Sequence, residues 1–191
     1  MNQKNLLEVD WSKIPAPTDD GAAAHLTGMT IPAISLIATD DTSVTLSALK
    51  GRTIVFAYPR TGEPGKISLV DDWDMIPGAR GCTPQTCAFR DLFAELKAAG
   101  AKHVFGLSTQ SNEYQTEMSS RLHLPFPIVS DEKLGLTRAL NLPTMQVAGS
   151  TLIKRLALVV DDAKITQVFY PVFPPDRNAA DVLAWLKDNP V

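Results

Sequence analysis

The feature that most constrains this chain is an alternation of two hydrophobic periods. Residues 53–59, "TIVFAYP", form an apolar run of buried-strand length. Further on, "TPQTCAFRDLFAELKAAG" carries Phe89, Leu92, Phe93 and Leu96 at i, i+3, i+4 and i+7, and Gly100 ends the pattern, so a helix is predicted. Thr83 is placed to cap that helix and Pro84 suits its first turn. "HVFGLST" then reads as a strand, "NEYQTEMSSRL" as a helix, "FPIVSD" as a short strand or turn and "KLGLTRAL" as a helix. "TLIKRLALVVD" and "ITQVFYP" read as paired strands, and "AADVLAWLKD" as a closing helix. Upstream, "AISLIATDDTSVTLSALKG" reads as a hairpin turning at Asp40-Asp41. Strands that alternate with helices need cover on both faces, so the expected class is α/β, a central mixed sheet with helices on both sides.

With 191 residues, 45% of them hydrophobic, the chain suits one domain with an extension. Residues 1–30 are polar, Pro-containing and aperiodic and read as an N-terminal extension, with the domain over 31–191. An insertion at about 62–79 is punctuated by Gly and Pro, and loops of that length are usually functional or mobile. A formal charge of −3 provides no electrostatic footprint for nucleic acid or anionic membrane. No apolar run reaches the roughly 18 residues a span needs. The first residues lack the apolar stretch of a secretory signal, so a cytoplasmic location is expected, where a close cysteine pair is catalytic or metal-binding more often than a staple.

The chain's two cysteines, Cys82 and Cys87, both fall in "GCTPQTC". Zinc calls for about four ligands, and His25, His103 and His123 are scattered. Two small buried hydrophobes are the bland alternative, but Cys82 lies outside the apolar periodicity, at the glycine-flanked edge of the helix. A thiol there faces unsatisfied N–H groups and the positive end of the helix dipole, which favour the thiolate. Cys82 is therefore the natural nucleophile. Five helical steps leave the two side chains about 140° apart with a rise of about 7.5 Å, too far for a disulfide within regular helix. Either the first turn unwinds or Cys82 lies outside it. A cycle of oxidation at Cys82, opening, and resolution by Cys87 is implied, and Pro84, which has no N–H, eases the opening.

"GCTPQTCAFRD" resembles the active-site segment of the Q-type (bacterioferritin-comigratory) peroxiredoxins. The resemblance runs from about Ile31 to Val191 and takes in "SALKGRTIVFAYP", "FPIVSD" and "KRLALVVDDAKI". It implies a thioredoxin-like fold and a thiol peroxidase acting on hydrogen peroxide or alkyl hydroperoxides. Cys82 matches the peroxidatic cysteine, Cys87 the resolving one, and Arg155 the arginine that supports thiolate and peroxide. It further implies a thioredoxin-like reductant, no metal or organic cofactor, and a monomer or homodimer. The family pattern Pro-x-x-x-Thr-x-x-Cys is broken: Ala79 stands where the threonine would be, and Pro59 lies 23 residues before Cys82. On this alignment Thr61 folds back to supply the hydroxyl, and Pro59 shields the pocket. "IPGARGC" alternatively resembles the approach of the atypical two-cysteine peroxiredoxins, shortened and without the threonine. The competing class is a non-catalytic redox sensor or copper-handling module on the same fold, which the Cys-x-x-x-x-Cys spacing fits poorly. A disulfide reductase would need Cys-x-x-Cys, and an inactive scaffold would show an ordinary Cys82 thiol.

Overall fold

The computed structural model describes residues 9–191. At its centre lies β3 (Arg52–Ala57), buried at every position. It pairs in parallel with β4 (His103–Ser108) and antiparallel with β8 (Leu156–Asp161). Outward on one side, β5 (Ile128–Ser130) runs parallel to β4, followed by the hairpin of β1 (Ser35–Ala38) and β2 (Ser43–Thr45). On the other side β9 (Lys164–Phe169) closes the sheet, giving the order β2-β1-β5-β4-β3-β8-β9. This mixed sheet is the one expected from the alternating periods.

Side chains alternate across a strand, so β3 sends Ile54 and Phe56 to one face and Val55 and Ala57 to the other. The Phe56 face carries α1 (Cys82–Asp91), α2 (Phe93–Ala98), α3 (Asn112–Leu122) and α5 (Asn178–Asp188), through Phe89, Leu96, Met118 and Leu186. The Val55 face carries α4 (Gly135–Leu140) through Leu136 and Leu140, together with Ala23, Leu26 and Ile31. Helices thus cover both faces. The single helix expected over residues 83–99 is two, because Leu92 (φ −98°, ψ 11°) leaves the helical region. Its N–H still reaches Ala88 O (3.1 Å) and its carbonyl accepts from Leu96 N (2.9 Å).

Of residues 1–30, residues 1–8 lie outside the described residues. The rest runs along the domain: Gly28 N–H donates to Ile165 O, Ile31 N–H to Ala163 O, and Thr30 bridges Lys164. These contacts cover the β9 edge. A second sheet, β6 (Thr144–Val147) with β7 (Ser150–Ile153), was not anticipated beyond its "TLI" strand. Its turn has positive φ at both Ala148 and Gly149. That is the primed two-residue geometry, hidden in the sequence by an alanine at a position that favours Asn or Gly.

Candidate active site

α1 begins where the chain can turn only at a glycine. Gly81 precedes the helix with φ +103°, and a Cβ there would stand 2.6 Å from Pro175 Cγ and 2.7 Å from Trp11 Cη2. Gly81, not Thr83, therefore occupies the cap position, and Thr83 is buried in the first turn. Cys82 is the first helical residue, 3% exposed, and the first helical bond runs from Gln85 N–H to Gly81 O (3.0 Å). Pro84 sits third in the helix, where an N–H would have no partner inside the helix. The thiol of Cys82 lies 3.5 Å from Ala79 O. The sulfur thus stands at the positive end of a ten-residue helix.

Arg155 approaches from the link between β7 and β8. It is 2% exposed, and its Nη2 lies 3.3 Å from Cys82 Sγ. The same nitrogen is shared with the carbonyls of Gly78 (3.3 Å), Ala79 (3.2 Å) and Arg80 (3.0 Å). Nη1 donates to Gln85 Oε1, and Gln85 Nε2 donates in turn to Asn178 Oδ1 (2.9 Å). The guanidinium is therefore bound to the loop that delivers Cys82, to the helix that carries it and, through Gln85, to α5. Gln85 positions Arg155. Its spacing of three from Cys82 on one helix was the available signal. Lys154, the solvent-facing neighbour, pairs with Asp20.

In front of Cys82 opens a cavity of about 450 Å³, walled by residues of the 62–74 stretch together with Arg60, Thr61, Arg80 and Tyr114. Thr61 and Cys82, 21 residues apart in the chain, both line it. Thr61 is buried and clamped by Gln110. Oε1 of Gln110 accepts from Thr61 N–H (2.9 Å) and Oγ1–H (3.2 Å), and its Nε2 donates to Thr61 O (3.2 Å). With its proton committed, the Thr61 hydroxyl offers a ligand its oxygen as an acceptor. Gln115 Nε2 donates to Gln110 O (2.7 Å), and Tyr58 OH donates to Gln115 Oε1 (3.2 Å). Burial, and then the nearby charge of a Cys82 thiolate, push the Tyr58 phenol well above its ordinary pKa, so it stays a neutral donor. Neither Gln110 nor Gln115 was found from sequence. Pro59 is buried and accepts from Ser108 Oγ at its carbonyl (3.3 Å), but it does not line the cavity. Arg80 forms an ion pair with Asp74 (2.7 Å) within the cavity wall, and Arg60 lies over the Tyr114 ring at 5.0 Å.

Cys87 sits in the same helix. Like Cys82 it belongs to the apolar cluster that includes Phe89, Phe126 and Leu122, and both cysteines are free thiols. Burial raises its pKa above the usual value, opposed by Arg90. With both residues in regular helix, no disulfide forms until the first turn opens.

A cationic donor on a buried sulfur at a helix start, beside a cavity, is a site for an attacking thiolate. Comparison with known proteins agrees. The redoxin family profile matches residues 26–183. The chain is 31% identical over 162 residues to the chloroplastic peroxiredoxin Q of Sedum lineare, covering 84% of this chain and 77% of that protein. It is 25% identical over 166 residues to the putative peroxiredoxin bcp of Coxiella burnetii, covering 83% and 97%. Among solved structures it is similar to the peroxidoxin BcpB of Mycobacterium tuberculosis (TM-score 0.69, 25% identity, 86% of this chain and 98% of that one). The fold, the placement of Cys82 and these similarities lead to one conclusion: the chain belongs to the redoxin family, within it to the Q-type peroxiredoxins, and is a thiol peroxidase.

Proposed function

We propose that Cys82 is the peroxidatic cysteine, acting on hydrogen peroxide and organic hydroperoxides, and that Cys87 resolves it. The observation that carries this reading is Arg155 Nη2 at 3.3 Å from Cys82 Sγ, at a helix N-terminus facing the cavity. The thiolate attacks the terminal peroxide oxygen and the O–O bond breaks. Sulfur is oxidised to sulfenic acid, and the departing alkoxide or hydroxide takes a proton and leaves as alcohol or water. Arg155 stabilises negative charge on the sulfur and on the transferring oxygens. Thr61, held by Gln110, accepts a hydrogen bond from the peroxide hydroxyl and so aligns it.

The first turn of α1 then opens, and Cys87 attacks the sulfenic sulfur, forming the Cys82–Cys87 disulfide and releasing water. A thioredoxin-like dithiol returns both cysteines to thiols and is itself oxidised to a disulfide. The opening breaks the Gln85–Gly81 bond and the Arg155 contacts to the loop. The cavity accommodates an alkyl hydroperoxide as well as hydrogen peroxide.

The test is a stopped-flow reaction of reduced protein with a small excess of peroxide, followed by mass-spectrometric mapping. The expected outcome is fast stoichiometric oxidation ending in a Cys82–Cys87 bond, with Cys82→Ser inert and Cys87→Ser stopping at the sulfenic acid. Oxidation no faster than that of a free thiol, or unchanged oxidation in Cys82→Ser, overturns the assignment.

A further inference from the structure

Gly78 and Gly81 bracket the loop that delivers Cys82, and the N-terminal extension lies against both. A Cβ on Gly78 would meet Pro17 Cβ at 3.6 Å, and one on Gly81 would meet Trp11 Cη2 at 2.7 Å and Pro175 Cγ at 2.6 Å. The carbonyls of Gly78, Ala79 and Arg80 in this loop are the ones that Arg155 holds. The stretch from Trp11 to Pro17 therefore runs along the segment that positions the reactive sulfur.

That stretch is fastened at both ends. Trp11 begins a short 3-10 turn, Trp11–Lys13, which Asp10 caps by accepting from Ser12 N–H (3.2 Å). The indole N–H of Trp11 donates to Asp176 Oδ2 (2.9 Å), and its ring meets Phe173 edge-on at 6.0 Å. Further on, Asp20 accepts from Tyr170 OH (2.7 Å) and from Lys154, the chain neighbour of Arg155.

These fastenings bear on one step of the cycle. A Cys82–Cys87 disulfide requires the first turn of α1 to open. The chain cannot swing at Gly81 while Trp11 and Pro175 close on it. Pro175 is buried and leads directly into α5, whereas Trp11 is half-buried in a turn that has no buried residue. Trp11 is the partner that gives way. We propose that residues 10–20 form a strap that keeps the first turn of α1 closed, with Trp11 as its positioning residue, and that Trp11 leaves Gly81 when Cys82 and Cys87 join. A strap that binds the closed turn and not the open one favours the dithiol over the disulfide by its own binding free energy. The proposal rests on the reading of Cys87 as the partner of Cys82, and it does not depend on peroxide.

The test equilibrates the full chain with mixtures of reduced and oxidised dithiothreitol. The oxidised reagent takes up the two electrons and two protons that the cysteines give up, and mass spectrometry counts the Cys82–Cys87 disulfide. Trp11→Ala is expected to raise the ratio of disulfide to dithiol about tenfold, a reduction potential lower by about 30 mV. Trp11→Phe keeps a ring on Gly81 and loses only the bond to Asp176, so it should raise the ratio about threefold. A loss of stability shared by both redox forms leaves the ratio unmoved, which separates positioning from a purely structural role. The second readout needs only the parent protein in its two redox forms. The Trp11 indole N–H resonance, assigned by its absence in Trp11→Phe, should move in the disulfide form to the position of a water-exposed indole. A ratio unchanged or lowered in Trp11→Ala, or a Trp11 resonance that keeps its place in the disulfide form, overturns the strap. An equal rise in both variants overturns Gly81 as its seat. Failure of the resolving role looks different: no Cys82–Cys87 disulfide then forms in parent or variant, and the strap falls with it. Failure of the peroxidase assignment shows separately, in the stopped-flow experiment alone.

Discussion

The first turn and the middle of α1 hold one cysteine each and are built on opposite principles. At the first turn, Cys82 follows a left-handed glycine and lies against the Arg155 guanidinium, which also holds three loop carbonyls. Five residues on, Cys87 lies where Phe89 stacks on Phe56 at 4.1 Å and Phe126 meets the Phe56 edge at 5.6 Å. Polar contacts can be exchanged with water or with other partners when a segment moves, whereas apolar burial is lost when it is exposed. The difference teaches how a helix can open at one end without dissolving. The first turn is held by hydrogen bonds that can be given up, and Cys87, the resolving thiol on the reading proposed above, stays on the anchored part.

Cutting the anchor breaks that comparison most strongly. Phe89→Ala removes a fully buried ring from the Phe56 face of the sheet and should destabilise the fold by about 3–5 kcal/mol. Denaturant melting measures the loss. If the two parts are independent, the folded fraction should still alkylate Cys82 at the wild-type rate. A slowed Cys82 in protein that remains folded would mean that the aromatic part also sets the geometry of the first turn.

Disarming the first turn gives the next effect. Arg155→Gln keeps a hydrogen-bonding side chain but removes the charge beside Cys82 Sγ, and should slow peroxide oxidation by about 10²–10³-fold. Stopped-flow rates check this, with alkylation rates measured beside them. An equal fall in both assigns Arg155 to the thiolate alone, while a larger fall with peroxide assigns it to the transferring oxygens as well.

What the sequence made legible follows the same divide. The apolar part, the sheet and the helices announce themselves through periods of 2 and 3.6, because burial repeats along an element. Cys82 at a helix start is legible because a helix terminus is a local property. Arg155 and Thr61 entered through a family resemblance, and Thr61 does line the cavity that Cys82 faces. Gln110 was not legible. It stands in "STQSN", a polar loop by composition, and acts on a residue 49 positions away. The second need for Gly81 was equally hidden, since Trp11 and Pro175 reach it from the two ends of the chain. Polar networks that close over long sequence separations leave no period to read.

The smallest effect separates the two thiols by their titration. Burial first, opposed by Arg90, raises the Cys87 pKa above its ordinary 9.0. Below that value the thiol is neutral in both the folded and the unfolded chain, and ionisation adds nothing to the balance. Above it the unfolded chain loses the proton while the buried thiol keeps it, so the native state loses stability as pH rises, until the folded-state pKa is passed. Melting temperatures from about pH 8 to about pH 10 should therefore fall less steeply in Cys87→Ala than in the parent, from a lower starting point. Tyr58 and Tyr170, whose pKa values are also raised, add to the alkaline loss in both proteins, so the difference in slope isolates Cys87. Parallel slopes would show that Cys87 ionises as readily folded as unfolded. The second half of α1 would then not be the dry anchor that its aromatic neighbours imply, and opening would have to begin from both ends of the helix.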